Sequence, residues 1–218
     1  MSVEVKGVYS EQNLARGAMA KPTLNRFGHL VAQNAFASAV ERGRCFAVAM
    51  QVGVASQAGL SATTPILTLA NPAGSGVTGR LWFASAHCLI VNPAGGGPVV
   101  ATVWLAAGSN TVGAAVTGTL TTAHRNLKLG GIAAQQGNVI SPLLAATLPA
   151  APVAVDVLGV ITTATVLTAD TVGARMEKPY YGALLIQPGT NISVQTSTAT
   201  ETAAMWAAFV WEECALIS

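Results

Sequence analysis

The chain has 218 residues, of which only 9% are charged, and its formal net charge is +2. Ordinary soluble domains carry about 25% charged residues, so a monomer of this composition would expose an unusually uncharged surface and tend to associate. No apolar run approaches the roughly 18 residues that a membrane-spanning helix needs. Composition therefore predicts a subunit of a larger assembly and argues against a membrane protein.

Residues 1–44 differ from the rest and are predicted to form an N-terminal arm. They hold six basic and three acidic residues, a net charge of +3. Apolar residues at helical spacing predict a short helix within 23–42, and Gly43 is the predicted stop. We expect the arm to lie on a neighbouring subunit through Phe27, Leu30 and Phe36, because an isolated arm buries too little apolar surface to become ordered.

The charges of the arm argue against nucleic-acid binding and against a signal peptide. Its basic residues are mixed with acidic ones and form no run, so binding to nucleic acid is not expected. Its first 17 residues carry charges and have no apolar centre, so no signal peptide is predicted.

Residues 45–218 are predicted to form one all-β domain. Short runs rich in Val, Ile and Thr are separated by Gly and Pro and do not alternate with helices, which favours an antiparallel β-sandwich of jelly-roll type. The predicted strands are 46–56, 64–70, 80–92, 98–107, 112–122, 139–148, 153–168, 182–187, 191–198 and 202–213. The segments 124–136 and 170–179 are predicted to be loops.

The last predicted strand is apolar on both of its faces. Met205, Ala207, Phe209 and Trp211 alternate with Trp206, Ala208 and Val210. One face can cover the core of the chain, and the other needs a neighbouring subunit. We therefore expect Trp206, Phe209 and Trp211 to be buried in core and interface, and we take all three as candidate contact residues.

Chemical motifs are sparse, and the sequence predicts neither an enzyme nor a cofactor or metal site. The segment 74–79 spells G-x-G-x-x-G, but a strand-like segment follows it, so hairpin turns explain its glycines better than dinucleotide binding. His87 is expected in the core and His124 in a solvated loop, and no carboxylate lies between Arg42 and Val155. Cys45, Cys88 and Cys214 fit neither a zinc spacing nor a disulfide framework and are expected to be buried hydrophobic residues.

Two stretches carry a resemblance to a known group of proteins. They are the inter-strand motif NPAGSG at 71–76 and the ending GALLIQPGTNISVQTSTATETAAMWAAFVWEE at 182–213. Together they resemble the small β-sandwich virion structural proteins of tailed bacteriophages, which include capsid decoration or cement proteins and tail subunits. The resemblance spans about residues 43–213. It implies a jelly-roll-like, often trimeric, non-enzymatic subunit of the virion, assembled in the host cytoplasm, with the major capsid protein or another virion subunit as partner.

Two alternatives remain open at this stage. A receptor- or glycan-binding module at a tail or fibre would share the fold, with the pair Tyr180 and Tyr181 as its candidate aromatic contacts. A hydrolase built on a sandwich would need Asp156, His124 or Glu212 as catalytic groups.

Overall fold

The computed structural model describes residues 35–90, 100–121, 124–128, 139–162 and 171–215. They form one helix, α1 (Ala35–Glu41), and two six-stranded sheets whose paired strands are antiparallel. Sheet one has the order β10 (Thr171–Ile186), β4 (Val77–Ile90), β12 (Thr200–Ala215), β1 (Cys45–Ala49) and β7 (Arg125–Asn126), and β2 (Val54–Ser56) also pairs with β12. Sheet two has the order β6 (Thr117–Leu120), β8 (Ser141–Thr147), β3 (Leu67–Asn71), β11 (Thr190–Thr196), β5 (Val100–Ser109) and β9 (Val153–Thr162).

The strand pairing is nested, which is the connectivity of a jelly roll. β1 pairs with β12 and β4 with β10 in sheet one, whereas β3 pairs with β11 and β5 with β9 in sheet two. Successive strands in the first half of the chain therefore pair with strands of the second half in reverse order. The predicted all-β sandwich with a short N-terminal helix is confirmed, and its jelly-roll character follows from this pairing.

The core lies between the two sheets and is built from alternate residues of their strands. On β12, Met205, Ala207, Phe209 and Trp211 point inward and are buried. The Trp211 ring stacks on Phe46 of β1 with the ring centroids 5.7 Å apart. This period of two places one complete face of β12 in the core of its own chain.

Several sequence expectations about individual elements are wrong. The described part of the predicted loop 170–179, residues 171–179, belongs to β10 and is not a loop, because Arg175 and Glu177 point outward while Met176 between them is buried. His124 is buried, and its Nδ1 lies 2.7 Å from the Thr121 carbonyl oxygen. His87, which was expected in the core, is exposed on β4. The predicted strand 46–56 is divided into β1 and β2.

A short helix was predicted within 23–42, and α1 confirms this prediction for the second half of that segment. Residues 23–34 lie outside the described residues. Gly43 ends α1 as expected, with φ of 70° and with its N–H donating to the Val40 carbonyl at 2.9 Å. Phe36 packs its ring on Trp82 of β4 at a centroid distance of 5.0 Å. The end of the arm is therefore attached to sheet one of its own chain.

The motif 71–76 is a turn held by a buried asparagine. The side chain of Asn71 is fully buried, and its Nδ2 donates to the carbonyl oxygens of Val77 at 2.9 Å and Ile186 at 2.8 Å. Its Oδ1 accepts a hydrogen bond from Ser75 Oγ at 2.6 Å. Asn71 thus ties the end of β3 to both β4 and β10. The similar motif at 92–97 lies outside the described residues.

Replacing Asn71 by alanine is expected to lower the free energy of unfolding by about 2–4 kcal/mol, because it removes the Asn71 donor from the buried Ile186 carbonyl and from the partly buried Val77 carbonyl. Urea unfolding followed by circular dichroism measures the loss. The control is Ser75→Ala, which removes a half-exposed hydroxyl and should cost less than about 1 kcal/mol. Equal losses in the two variants would contradict the role given to Asn71.

One polar cluster joins the two sheets where their edge strands meet. Asp156 of β9 accepts hydrogen bonds from Lys178 Nζ at 2.7 Å and Tyr180 Oη at 2.8 Å, and both donors belong to β10. The hydrogen bond from Lys178 is the main reason why the pKa of Asp156 lies below its usual range. Burial is the main reason why the pKa of Tyr180 is raised.

The lowered pKa of Asp156 predicts a small loss of stability in acid. The ionised carboxylate stabilises the fold above its unfolded pKa of about 3.9, and this contribution is lost as the pH falls through the lower folded pKa. We expect Asp156→Asn to be less stable than the wild type by up to about 1 kcal/mol at pH 7, because the pair is partly exposed. Melting curves from pH 7 to pH 2 should show this difference disappearing. A constant difference over that range would contradict the assignment.

Candidate assembly surface

The outer face of sheet one is the candidate functional site. We define it by Phe83, Ser85 and His87 of β4 and by Trp206, Ala208 and Val210 of β12, which lie opposite one another in register. Ala47 and Ala49 of β1 extend it beyond Val210 and Ala208. All three β12 residues are half-buried, whereas their neighbours on the inner side are in the core. The two-faced character predicted for this strand is confirmed.

Trp206 is the largest side chain on this face. Its ring lies 6.4 Å from the ring of His87, between centroids, at an interplanar angle of 46°. The backbone of Gly53, between β1 and β2, lies close to this ring, because a Cβ atom at Gly53 would come within 2.6 Å of Trp206 Cζ2. The glycine therefore allows the backbone between β1 and β2 to approach the indole closely.

Charged groups border this face and leave its centre uncharged. Arg175 and Glu177 form an exposed ion pair on β10, beside His87 and Ser85. At the other end, Arg44 contacts the buried Glu212 at 3.2 Å between Nη2 and Oε1. A surface with an uncharged centre and a charged rim is typical of a protein–protein contact.

The six residues predicted to contact a partner do not share one surface. Trp206 lies on the outer face of sheet one, and Phe36 packs on Trp82 of its own chain. Phe209 and Trp211 are fully buried in the core. Their assignment to an interface is wrong, because strand alternation turns them away from the face that carries Trp206. Phe27 and Leu30 lie outside the described residues.

Glu212 and Glu213 point to opposite sides of β12, as expected for adjacent strand residues. Glu213 is buried, and its Oε1 accepts hydrogen bonds from the Ile140 N–H at 2.8 Å and from Trp211 Nε1 at 3.2 Å. Its Oε2 accepts from the Val139 N–H at 2.8 Å. Burial raises the pKa of this carboxyl group. Glu213 is thus a structural acceptor for the chain entering β8, and no feature of the sequence pattern indicated this role.

The remaining chemical candidates also occupy structural positions. The glycines at 74 and 76 have φ of 72° in the turn between β3 and β4, and a strand follows them where a dinucleotide site would need a helix. The three cysteines are buried and free, and burial raises the pKa of Cys88 and of Cys214 to about 11. In the described part of the chain, no three His, Cys, Asp or Glu side chains are grouped as metal ligands. No helix among the described residues has the length and apolar character to span a membrane.

Comparisons with protein-family models, with curated proteins and with solved structures return no match.

Proposed function

We propose that this chain is a non-enzymatic structural subunit of a virion, a capsid decoration or cement protein that forms a homo-oligomer, most simply a trimer. The observation that carries the proposal is the outer face of sheet one. It leaves Trp206, Ala208 and Val210 half-exposed on a strand whose other face is core. Burying such a face contributes about 25 cal/mol per Å2 of apolar area, which supports an assembled state.

The fold and the composition support the same proposal. Jelly rolls are recurrent in viral capsid domains and in lectins, and a surface with so few charges suits a protein that is covered by neighbours. Because one fold serves many functions, the proposal depends on the surface and not on the topology. A rigid subunit with several modest contact sites gains affinity by multivalency, as a cement protein requires.

The arm supplies a second contact in this proposal. Helix α1 is attached to sheet one through Phe36 and through the residues that follow it, where Arg44 binds Glu212. Thirty-four residues precede α1, and they include Phe27 and Leu30. We propose that this segment reaches the major capsid protein or another virion subunit beside the outer face of sheet one.

Particles from cells that carry the gene provide the test. We expect the chain to be present in purified particles by quantitative mass spectrometry, and particles made without it to release their genome at a lower temperature. Adding back the purified chain should restore the release temperature. Trp206→Ser should fail to restore it, whereas the control Val112→Lys, which changes an exposed valine in the turn between β5 and β6 of the other sheet, should succeed. Absence of the chain from particles, or an unchanged release temperature, would contradict the proposal.

A glycan- or receptor-binding module of a tail or fibre is the second candidate, and one observation favours it. Tyr181 is 75% exposed and has a positive φ of 52°, in an irregularity of β10 between Pro179 and Leu184. A bulky residue held in this conformation at the surface is a candidate for ligand contact. A glycan array with the wild type and Tyr181→Ala distinguishes the candidates: binding that the substitution abolishes would support this module.

A further inference from the structure

An exposed apolar patch lies on β10, close to the place where the described chain begins. Tyr181, Ala183 and Leu185 are exposed, Tyr181 by 75% and Leu185 by 49%. We call these three residues the β10 patch. β10 is the end strand of sheet one, and its residues 179–186 carry no charge. Covering the patch with another apolar segment would therefore be favourable.

The β10 patch and helix α1 lie on the same side of sheet one. Leu185 is opposite Arg80 of β4, and Arg80 is opposite Glu212 of β12. Residues that lie opposite one another in neighbouring strands share one face of the sheet. Glu212 binds Arg44, which follows α1 in the chain. The helix is therefore attached to the face that exposes Leu185.

The direction of α1 points the preceding chain towards β10. Phe36, near the start of α1, packs on Trp82 of β4, whereas Arg44, after its end, contacts Glu212 of β12 and the chain then enters β1. The seven helical residues rise by about 10 Å, which matches two spacings between strands. The helix thus runs from β4 towards β1. The sheet order places β10 on the other side of β4.

The indole beneath Phe36 connects the β10 patch to the start of α1. Gly182, next to Tyr181, lies so close to Trp82 that a Cβ atom there would be 3.7 Å from Trp82 Cζ2. Trp82 Nε1 is buried and has no acceptor within the part of the chain that the structure describes. Most buried side-chain donors have an acceptor. The indole therefore indicates that a further segment of chain passes this place.

The residues that precede α1 suit the β10 patch in reach and in chemistry. Residues 27–34 contain no Asp, Glu, Lys or Arg, and they include Phe27, Leu30 and Val31. Leu30 precedes Phe36 by six residues, which span about 9 Å in a helix and more in an extended chain. β10 is about 5 Å from β4, so these apolar side chains can reach the patch.

The covalent connection to α1 selects this segment over a separate chain. A short tether gives residues 27–34 an effective concentration at the patch on the order of millimolar, with which any other occupant must compete. Residues 1–26 suit the patch less well, because burying an unpaired charge is costly. They hold all six charged residues that precede α1, namely Glu4, Lys6, Glu11, Arg16, Lys21 and Arg26.

We propose that residues 27–34 pack on the β10 patch of their own chain while the subunit is free of the virion. The contact is a property of the free chain, so it goes beyond the proposed function, in which the arm contacts a partner after assembly. Binding of these residues to a partner then requires them to leave the patch.

Hydrogen exchange of the full free chain, followed by mass spectrometry, tests this contact. We expect the amides of residues 27–34 to exchange at least about tenfold more slowly in the wild type than in Tyr181→Asn/Leu185→Thr, because the variant removes the apolar cover that opposes local opening. Asparagine tolerates the positive φ of 52° at position 181, and threonine suits a strand. Leu185→Thr alone should act in the same direction if the double variant does not fold.

Two matched variants serve as controls, and both should keep the exchange rates of the wild type. Tyr181→Phe retains the aromatic ring on the patch. Val112→Thr changes an exposed valine in the turn between β5 and β6 of the other sheet.

Three results would overturn the proposal. The first is equal exchange of residues 27–34 in the wild type and in the folded double variant. The second is protection that is lost on dilution, because it would place the segment on a second copy. The third is glycan binding by the full chain that Tyr181→Ala abolishes, because the ring would then contact a ligand. The proposed function is judged separately, by the experiment with particles.

Discussion

Replacing Trp211 by alanine is expected to lower the free energy of unfolding by about 3–5 kcal/mol, the usual cost of removing a large aromatic side chain from a packed core. Trp211 is fully buried and stacks on Phe46 at 5.7 Å between ring centroids. Its removal leaves a cavity between the sheets and also removes a donor to Glu213. Urea unfolding at a fixed protein concentration, followed by circular dichroism, measures the loss.

Trp206→Ala is the matched control, because it is the same substitution on the outer face of the same strand. Trp206 is half-buried and contacts the exposed His87. We expect Trp206→Ala to lower the free energy of unfolding by less than half as much as Trp211→Ala does, because Trp206 buries less apolar surface in the folded chain. Its main effect should be on binding to the proposed partner subunit. Equal losses of stability would mean that both faces of β12 belong to one core, and the candidate assembly surface would have to be rejected.

Glu213→Ala is expected to lower the free energy of unfolding by about 2–4 kcal/mol, because it leaves buried donors without an acceptor. The donors are the N–H groups of Val139 and Ile140 and Nε1 of Trp211. Glu213→Gln should lower the free energy of unfolding by less, because the amide oxygen of glutamine can still accept hydrogen bonds from the Ile140 N–H and from Trp211 Nε1. Chemical unfolding of the three proteins at pH 7 gives the order of stability.

The pH dependence provides an independent check on Glu213. Its pKa is raised by burial, so its protonated form is favoured by folding. The associated stability is complete below the unfolded pKa of about 4.3 and is lost as the pH rises through the raised folded value. The advantage of the wild type over the non-titrating Glu213→Gln should therefore shrink as the pH rises from about 4. An advantage that grows with pH would contradict the direction of the shift.

Period-two patterning predicted the sandwich, because strands that bury one face show it directly in the sequence. The two faces of β12 were separable for this reason, and the turn at 71–76 was identifiable from its Pro and Gly. Sequence could not show that 171–180 is a strand, because Arg175, Glu177 and Lys178 have partners that only the tertiary structure supplies. Lys178 bonds to Asp156 on the other sheet, and local composition alone favoured a loop.

The candidate site was predictable only in part. Trp206 was placed on a separate face by alternation, but Phe209 and Trp211 were included as contact residues because both faces of the strand are apolar. Which face of β12 points into the core depends on where sheet two lies, and contacts between residues distant in sequence determine that position. Glu213 and Asp156 were not identifiable as structural acceptors, since their donors are distant in sequence.

The native mass of the purified full chain, measured by light scattering over a range of concentrations, decides whether the chain self-associates as we propose. We expect a defined oligomer, with three times the 22.0 kDa chain mass as the expected value, that persists when residues 1–42 are deleted. A clean monomer of 22.0 kDa at every concentration, with and without the arm, would contradict it.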